Sequence, residues 1–320
     1  MEANPTPENI LVPATIPAQF LPVAEKKFVP PAPGEIITSL RTHNTYTFGN
    51  SIGEGNFGVV YSCTDTWNND LAVKVLKPLG QPYDKIKAAA EAEFAKLVAL
   101  RHPTITYIYD AFEYRDTFYI VTERCLGPVS DLFKLPDFKG PVWVLPIARS
   151  LLQAVHFLRI NNLVHQDIHS GNVFTTFAKN ELTSEATAVQ FKLADMGVAK
   201  LFQEVDGQNT RNKLIYPPEV LRPAEFGPMD YRIDLYNVGL LLLQFACSKE
   251  ITFTEQEILT GKPREMAEAL PPPLNFALGK ALRRHVPSRT SSAMELWRDL
   301  NASMPTPPPD LLNPIIPPFS

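Results

Sequence analysis

Cysteine is scarce in this chain. Cys63, Cys125 and Cys247 are the only three in 320 residues, and they lie far apart without metal-ligand spacing. So sparse and odd a set argues against a disulfide framework and fits a reducing compartment. A charge excess is missing too. Thirty Lys and Arg stand against 34 Asp and Glu, a net charge of -4, so nothing points to nucleic acid or an anionic membrane as partner. Long hydrophobic runs are absent. The most apolar stretch, around Val238 to Cys247, is too short to span a bilayer and reads as a buried helix. The N-terminus lacks a basic region followed by an apolar core, so no secretory signal is expected. No segment repeats. These absences leave the expectation of a soluble, cytoplasmic globular protein with no nucleic-acid and no membrane partner.

Proline, by contrast, is abundant, with 31 residues crowded toward the two ends. Residues 1–43 should form an extended or disordered tail, because proline removes a backbone donor and fixes φ. Residues 304–320 should form a second. Within the first, Pro30-Pro31-Ala32-Pro33 could dock on an aromatic groove of a partner protein. The folded part should then span 44–303. From Tyr46 to Lys77, β-branched and aromatic residues broken by glycine and Asn68-Asn69-Asp70 predict three antiparallel strands. Tyr83 to Leu100 carries helical spacing. Phe112 to Thr122 predicts two strands around Arg115-Asp116. Beyond Trp143 helical patterns dominate, with a short strand pair flanking 173–193. A strand-rich part followed by a helix-rich part predicts an α+β fold of two lobes, about 44–124 and 125–303, with a cleft between them.

The stretch His165-Gln166-Asp167-Ile168-His169-Ser170-Gly171-Asn172 places a carboxylate and a carboxamide five residues apart on a loop that glycine lets turn tightly. Such a pair suits a site that orients a hydroxyl and ligates a cation. Gly53-Glu54-Gly55-Asn56-Phe57-Gly58 precedes Val59-Val60-Tyr61, which reads as a strand. A dinucleotide-binding turn would open a helix there instead. A glycine-rich hairpin can lay backbone N–H groups over phosphates. Lys74 sits alone in the apolar strand Leu71-Ala72-Val73-Lys74-Val75. Burying a lone ammonium is costly, so it calls for an acidic partner, and the predicted helix offers Glu91 and Glu93. Asp195, in Ala194-Asp195-Met196-Gly197 after the strand Val189 to Leu193, can hold a divalent cation where the chain bends away.

In this order the motifs resemble the eukaryotic-type protein kinase family, from roughly Tyr46 to Leu300. Pro217-Pro218-Glu219 is similar to the segment that closes a kinase activation loop. Asp234-Leu235-Tyr236-Asn237-Val238-Gly239 is similar to a family motif on a buried helix. Arg289 stands where the family has an arginine that would pair with Glu219. The resemblance implies a bilobal kinase fold, ATP and Mg2+ as cofactors, and a protein substrate phosphorylated on a hydroxyl, Ser or Thr. It puts Gly53, Gly55 and Gly58 over the phosphates, with Ile52 beside them as a further cofactor-binding candidate. Lys74 would bind the α/β-phosphates, paired with Glu93 by its interval from Arg101-His102-Pro103. Asp167 would accept the substrate proton, and Asn172 and Asp195 would hold magnesium. Thr122 falls at the gatekeeper position, Glu123, Arg124 and Cys125 would form the adenine-binding hinge, and Val60, Ala72 and Phe174 would sandwich the base.

Three residues depart from the family pattern. Gln166 replaces an arginine that pairs with an activation-segment phosphate in many kinases, so activity should not need phosphorylation at Thr210. His169 replaces a lysine near the γ-phosphate, which weakens the expectation of serine/threonine over tyrosine. Met196 replaces phenylalanine, a mild change for a flexible thioether. These departures keep two alternatives open: a pseudokinase that binds nucleotide and partners without transfer, and a small-molecule kinase of the aminoglycoside or choline type. Retention of Lys74, Glu93, Asp167, Asn172 and Asp195 argues against the first, and Pro217-Pro218-Glu219 against the second. Cys63 and Cys125 are either cleft-facing thiols or inert buried ones.

Overall fold

Alternation of side chains across strands builds the first lobe. The computed structural model describes residues 29–55, 58–76, 100–179, 186–195, 200–201 and 216–302. Strands β1 (Ile36–Thr38), β2 (Thr45–Gly55), β3 (Gly58–Asp65), β4 (Asp70–Leu76), β5 (Ile108–Tyr114) and β6 (Thr117–Glu123) form one antiparallel sheet in the order β1-β2-β3-β4-β6-β5. Successive residues of a strand point to opposite faces. Val59, Tyr61, Cys63, Leu71, Val73, Val75, Tyr119 and Val121 therefore share one face and form the core of this lobe. The residues between them, Val60, Ala72, Lys74 and Thr122, share the other. Arg115 and Asp116 both take positive φ between β5 and β6, as a two-residue hairpin turn of the primed type requires.

The N-terminal boundary differs from the sequence expectation. The fold begins well before Tyr46, and Pro31 is buried, so the Pro30–Pro33 run is packed on its own domain at that residue. Ile36, Ile37 and Thr38 pair with Thr47, Tyr46 and Thr45, and the Ile37 side chain is buried in the sheet core. Proline sets φ without preventing the strand that follows it from pairing at a sheet edge. The carboxylate that fastens this segment is Asp110 on β5, fully buried. It accepts from Arg41 Nη2 at 2.8 Å, from Tyr46 Oη at 3.1 Å, from its neighbour Ala111 N at 2.8 Å, and from the Thr42 hydroxyl. Burial pushes the Asp110 carboxyl up, but the bonds from Thr42, Arg41 and Ser39 outweigh it and hold it below the usual range.

The second lobe is organised by helix α1 (Val144–Ile160) and helix α2 (Arg232–Ala246). Ile147, Leu151, Ala154 and Leu158 recur at helical spacing and are fully buried. By length and composition the stretch Gly140–Ile160 could cross a membrane. It is longer than the 238–247 run singled out above, yet its apolar face is the centre of the lobe's core. Helices α3 (Leu274–Ala281) and α4 (Ala293–Leu300) complete the packing. Gly239 lets α2 approach α3, because a Cβ there would lie 3.1 Å from a Leu282 methyl. Strands β7 (Gly127–Pro128), β9 (Val173–Lys179) and β10 (Ala186–Leu193) form a small sheet under the first lobe, and β8 (Leu163–Val164) pairs with β11 (Lys200–Leu201). The strand pair expected around 173–193 is thus the β9–β10 hairpin. The helix expected over 83–100 lies outside the described residues.

Candidate active site

The face of the first sheet opposite its core looks onto β9, β10 and the loop before β9. Register pairs Val60 with Lys74 and Ala72 with Thr122. These four side chains therefore line one patch, with Lys74 at one end and the gatekeeper candidate Thr122 at the other. Gly53 pairs with Val60, and among the described residues a Cβ at Gly53 would meet nothing nearer than the Val60 Cβ at 4.0 Å. The described residues leave the space above Val60 open. Gly58 has a different reason for being glycine: a Cβ there would strike the Val75 carbonyl at 2.4 Å, so strand packing demands it. Ile52 is largely exposed at the rim.

Lys74 reaches across this space. Its Nζ lies 2.8 Å from Asp195 Oδ2. Burial raises the Asp195 carboxyl, but the Lys74 charge and hydrogen bond, with His165 and His169, more than offset that and hold it below the usual carboxylate range. Asp195 takes φ of 60° and Gln166 of 68°. Left-handed backbone at a residue with a Cβ costs about 1–3 kcal/mol and survives only where neighbours impose it.

Those neighbours are visible. The Asp234 carboxylate, buried on α2, accepts from His165 N and Gln166 N, each at 2.8 Å. Burial pushes the Asp234 carboxyl up, against the opposing pull of His165 and of these two backbone bonds. His165 Nδ1 accepts from Asp167 N at 3.3 Å, which leaves Nε2–H to donate to the Ala194 carbonyl at 3.0 Å. The residue before Asp195 is thereby tied to the loop that carries Asp167. Ala194 N also donates to Asn172 O at 2.8 Å.

Asp167 and Asn172 meet directly. Asn172 Nδ2 donates to the Asp167 carbonyl at 2.9 Å and to Asp167 Oδ2 at 3.0 Å. The amide nitrogen is thus engaged, and the amide oxygen remains as the ligating atom. His169 folds back, its Nδ1 accepting from Gly171 N at 3.0 Å. A Cβ at Gly171 would lie 2.9 Å from the imidazole, so glycine is required by this ring. His169 Nε2 is 3.8 Å from Asp167 Oδ2.

One lysine, two carboxylates and a carboxamide from three separate chain segments therefore gather beside an open patch lined by Val60, Ala72 and Thr122. A family model for the protein kinase domain matches residues 46–300. The chain belongs to the protein kinase family. This kinase is 27% identical over 263 residues to serine/threonine-protein kinase TAO3 of Mus musculus, covering 77% of this chain and 27% of that protein. It is 30% identical over 202 residues to the RAF proto-oncogene serine/threonine-protein kinase of Xenopus laevis, covering 60% of this chain and 29% of that protein. The chain spans 22% to 40% of the length of such relatives. The crystal structure of the Mycobacterium tuberculosis PknI kinase domain resembles it with a TM-score of 0.60 at 20% identity, over 85% of this chain and 99% of that one. That likeness is one of fold.

The kinase's remaining expected features separate by position. Glu219 and Arg289 are fully buried and joined by two hydrogen bonds of 2.6 and 2.5 Å, with the guanidinium 4.5 Å over the Tyr236 ring. Glu93 and its alternative Glu91 lie outside the described residues, as do Met196 and Thr210; Gly55 is described in backbone only. Glu123 ends β6, Arg124 and Cys125 follow it between the lobes, and Phe174 lies on β9. Cys63 belongs to the core face of the first lobe, away from the cleft, and burial pushes its thiol up to about 12. Burial likewise pushes Cys125 up to about 11, so both are poor nucleophiles. Gln166 is buried, and its Nε2 has no hydrogen-bond partner among the described residues.

Sequence reasoning missed the role of His165, which is two residues from Asp167 and bridges to Ala194. It also missed Lys192, a single lysine in the apolar strand Val189 to Leu193. There, as at Lys74, a lone ammonium among apolar neighbours calls for an acidic partner.

Proposed function

We propose that this chain is an active protein kinase that transfers the γ-phosphoryl group of ATP to a serine or threonine hydroxyl of a protein substrate, with Mg2+ as its cation. The observation that carries this reading is the meeting of Lys74, Asp167, Asn172 and Asp195 at one open, sheet-lined patch. The donor set fits the cation. No group of three or more His, Cys, Asp or Glu that could cage a metal occurs among the described residues. Magnesium is commonly bound by one or two protein oxygens together with substrate phosphates, and Asp195 Oδ and Asn172 Oδ1 supply that pair. The open space over Val60 at Gly53 fits a phosphate chain. When bound, the cation would neutralise charge on the transferred phosphoryl group.

The chain's own residues do the rest. Lys74 exchanges its contact with Asp195 for the α/β-phosphates. Val60, Ala72 and Phe174 hold the adenine, and the backbone of Glu123 and Cys125 orients it. Asp167, with Oδ2 held by Asn172, presents its other oxygen to the substrate hydroxyl and takes its proton. Most of the acceleration comes from positioning and electrostatic stabilisation. The neutral Gln166 amide offers no charge to an activation-segment phosphate, which supports activity without phosphorylation at Thr210. The three free cysteines suit a cytoplasmic setting.

The test is transfer of label from γ-labelled ATP with Mg2+ to a generic protein substrate, with Asp167→Asn as control. Label in protein that vanishes in the variant supports this reading. Nucleotide binding without transfer supports the pseudokinase, and label in aminoglycoside or choline instead of protein supports the small-molecule kinase.

A further inference from the structure

Lys192 is the one buried lysine among the described residues. Its ammonium contacts both carboxylate oxygens of Glu123 at 2.7 Å and lies 4.5 Å over the Tyr107 ring. Tyr107 N donates to Glu123 Oε1 at 2.8 Å, and Glu123 N donates to the Tyr107 carbonyl at 3.0 Å. The other end of the same short segment is bound to β10. Leu193 N donates to Thr104 O at 2.8 Å, and Thr106 N donates to Leu193 O at 2.9 Å.

The two partners occupy particular places. Glu123 follows the gatekeeper Thr122 and opens the hinge. Lys192 stands three residues before Asp195 on the strand that delivers it. A desolvated ion pair often stabilises no better than packed apolar side chains of the same volume. If holding β10 against the hinge were the whole task, Leu and Met would serve. What a two-pronged ion pair adds is a link of fixed length and direction, reinforced on both sides by backbone bonds to residues 104–107.

We propose that Lys192 and Glu123 are positioning residues that hold the adenine-facing hinge at a set distance from the metal-facing Asp195, so that filling one end of the cleft strengthens binding at the other. This deepens the nucleotide-binding reading above and rests on it. Neither side chain touches the ligand. The coupling is reciprocal, as any linkage between two sites must be.

The test uses calorimetric titration of the full chain with three probes: adenosine, ATP in the presence of a chelator, and ATP with Mg2+. In Lys192→Met, adenosine affinity should stay within about twofold of wild type, while the affinity gained from Mg2+ should fall by about fivefold or more, the lower end of typical couplings. Lys192→Arg should keep most of that gain. Should Lys192→Met fail to fold, Lys192→Gln, which removes the charge and keeps a polar head, should give the same pattern. Equal weakening of all three probes, or an unchanged gain from Mg2+, overturns the proposal and leaves a structural ion pair. Wild-type chain that binds neither adenosine nor ATP overturns the nucleotide-binding reading itself, and the proposal with it.

Discussion

Lys74 Nζ and Asp195 Oδ2 lie 2.8 Å apart although 121 residues separate them in sequence. The contact spans the two lobes and fixes where the cleft is. Its electrostatics are opposed: burial raises the Asp195 carboxyl, and the ammonium, with His165 and His169, more than offsets that. In Lys74→Met the main lowering partner is gone, and only His165 and His169 still oppose burial. Asp195 should then titrate above the ordinary carboxylate value of about 3.9, where in wild type it titrates below it. Carboxyl-carbon NMR of labelled aspartate across an acid titration reads both values. An Asp195 signal that does not move between the two proteins would contradict the pairing.

Arg289 and Glu219 should be a large stability term only when one partner is removed alone. Arg289→Ala leaves a carboxylate at a fully buried position and should destabilise by about 3–5 kcal/mol. Replacing both, Glu219→Leu with Arg289→Met, should cost clearly less. Urea unfolding of the three proteins measures this. Equal losses in the single and double variants would show that the ion pair is not what the site depends on.

Asp110→Ala should loosen the N-terminal segment. It leaves the Tyr46 and Thr42 hydroxyls without their acceptor and frees Arg41, at a cost of about 1–3 kcal/mol for unmade buried hydrogen bonds. Amide exchange should speed up across residues 36–42 and change little around Asp167. Uniform acceleration everywhere would mean that Asp110 supports the whole sheet rather than this strap.

Acid stability should carry a signature from Glu295. Lys280 Nζ contacts it at 2.5 Å, and Ser291 donates to it from both N and Oγ. These bonds, Lys280 first, lower its carboxyl to about 2. A carboxyl depressed in the folded state contributes stability above its unfolded value, and loses it as pH falls through the folded value. The melting-temperature gap between wild type and Glu295→Gln should therefore be constant above about pH 5 and narrow between about pH 4.5 and 2. A gap that widens on acidification would reverse the assignment.

Sequence patterns carried most of the site because its residues announce themselves. A lysine in an apolar strand, an Asp and Asn bracketing a glycine, and an Asp after a strand are each chemically conspicuous, and family order joined them. The sheet strands were legible because alternation reflects burial on one face. The strand Ile36–Thr38 was hidden by its prolines: backbone that proline biases to extended geometry serves equally as tail or as edge strand, and only its pairing with Thr45–Thr47 and the Asp110 clasp distinguish the two. The Lys192–Glu123 pair was hidden differently. Glu123 had a ready local explanation as a hinge position, and nothing in the linear chain says that Lys192 is its neighbour. Cys63 was left open between a cleft-facing and a buried thiol, and strand parity decides for the buried one, on the core face with Val59 and Tyr61.

The central claim is that Lys74, Asp167, Asn172 and Asp195 serve one nucleotide. A crystal structure of the chain with Mg2+ and a non-hydrolysable ATP analogue tests it most directly. The account predicts adenine between Val60, Ala72 and Phe174, Lys74 on the α/β-phosphates, and a cation touching both Asp195 and Asn172. Nucleotide bound elsewhere, or an open patch with Lys74 still paired to Asp195 at saturating analogue, would contradict it.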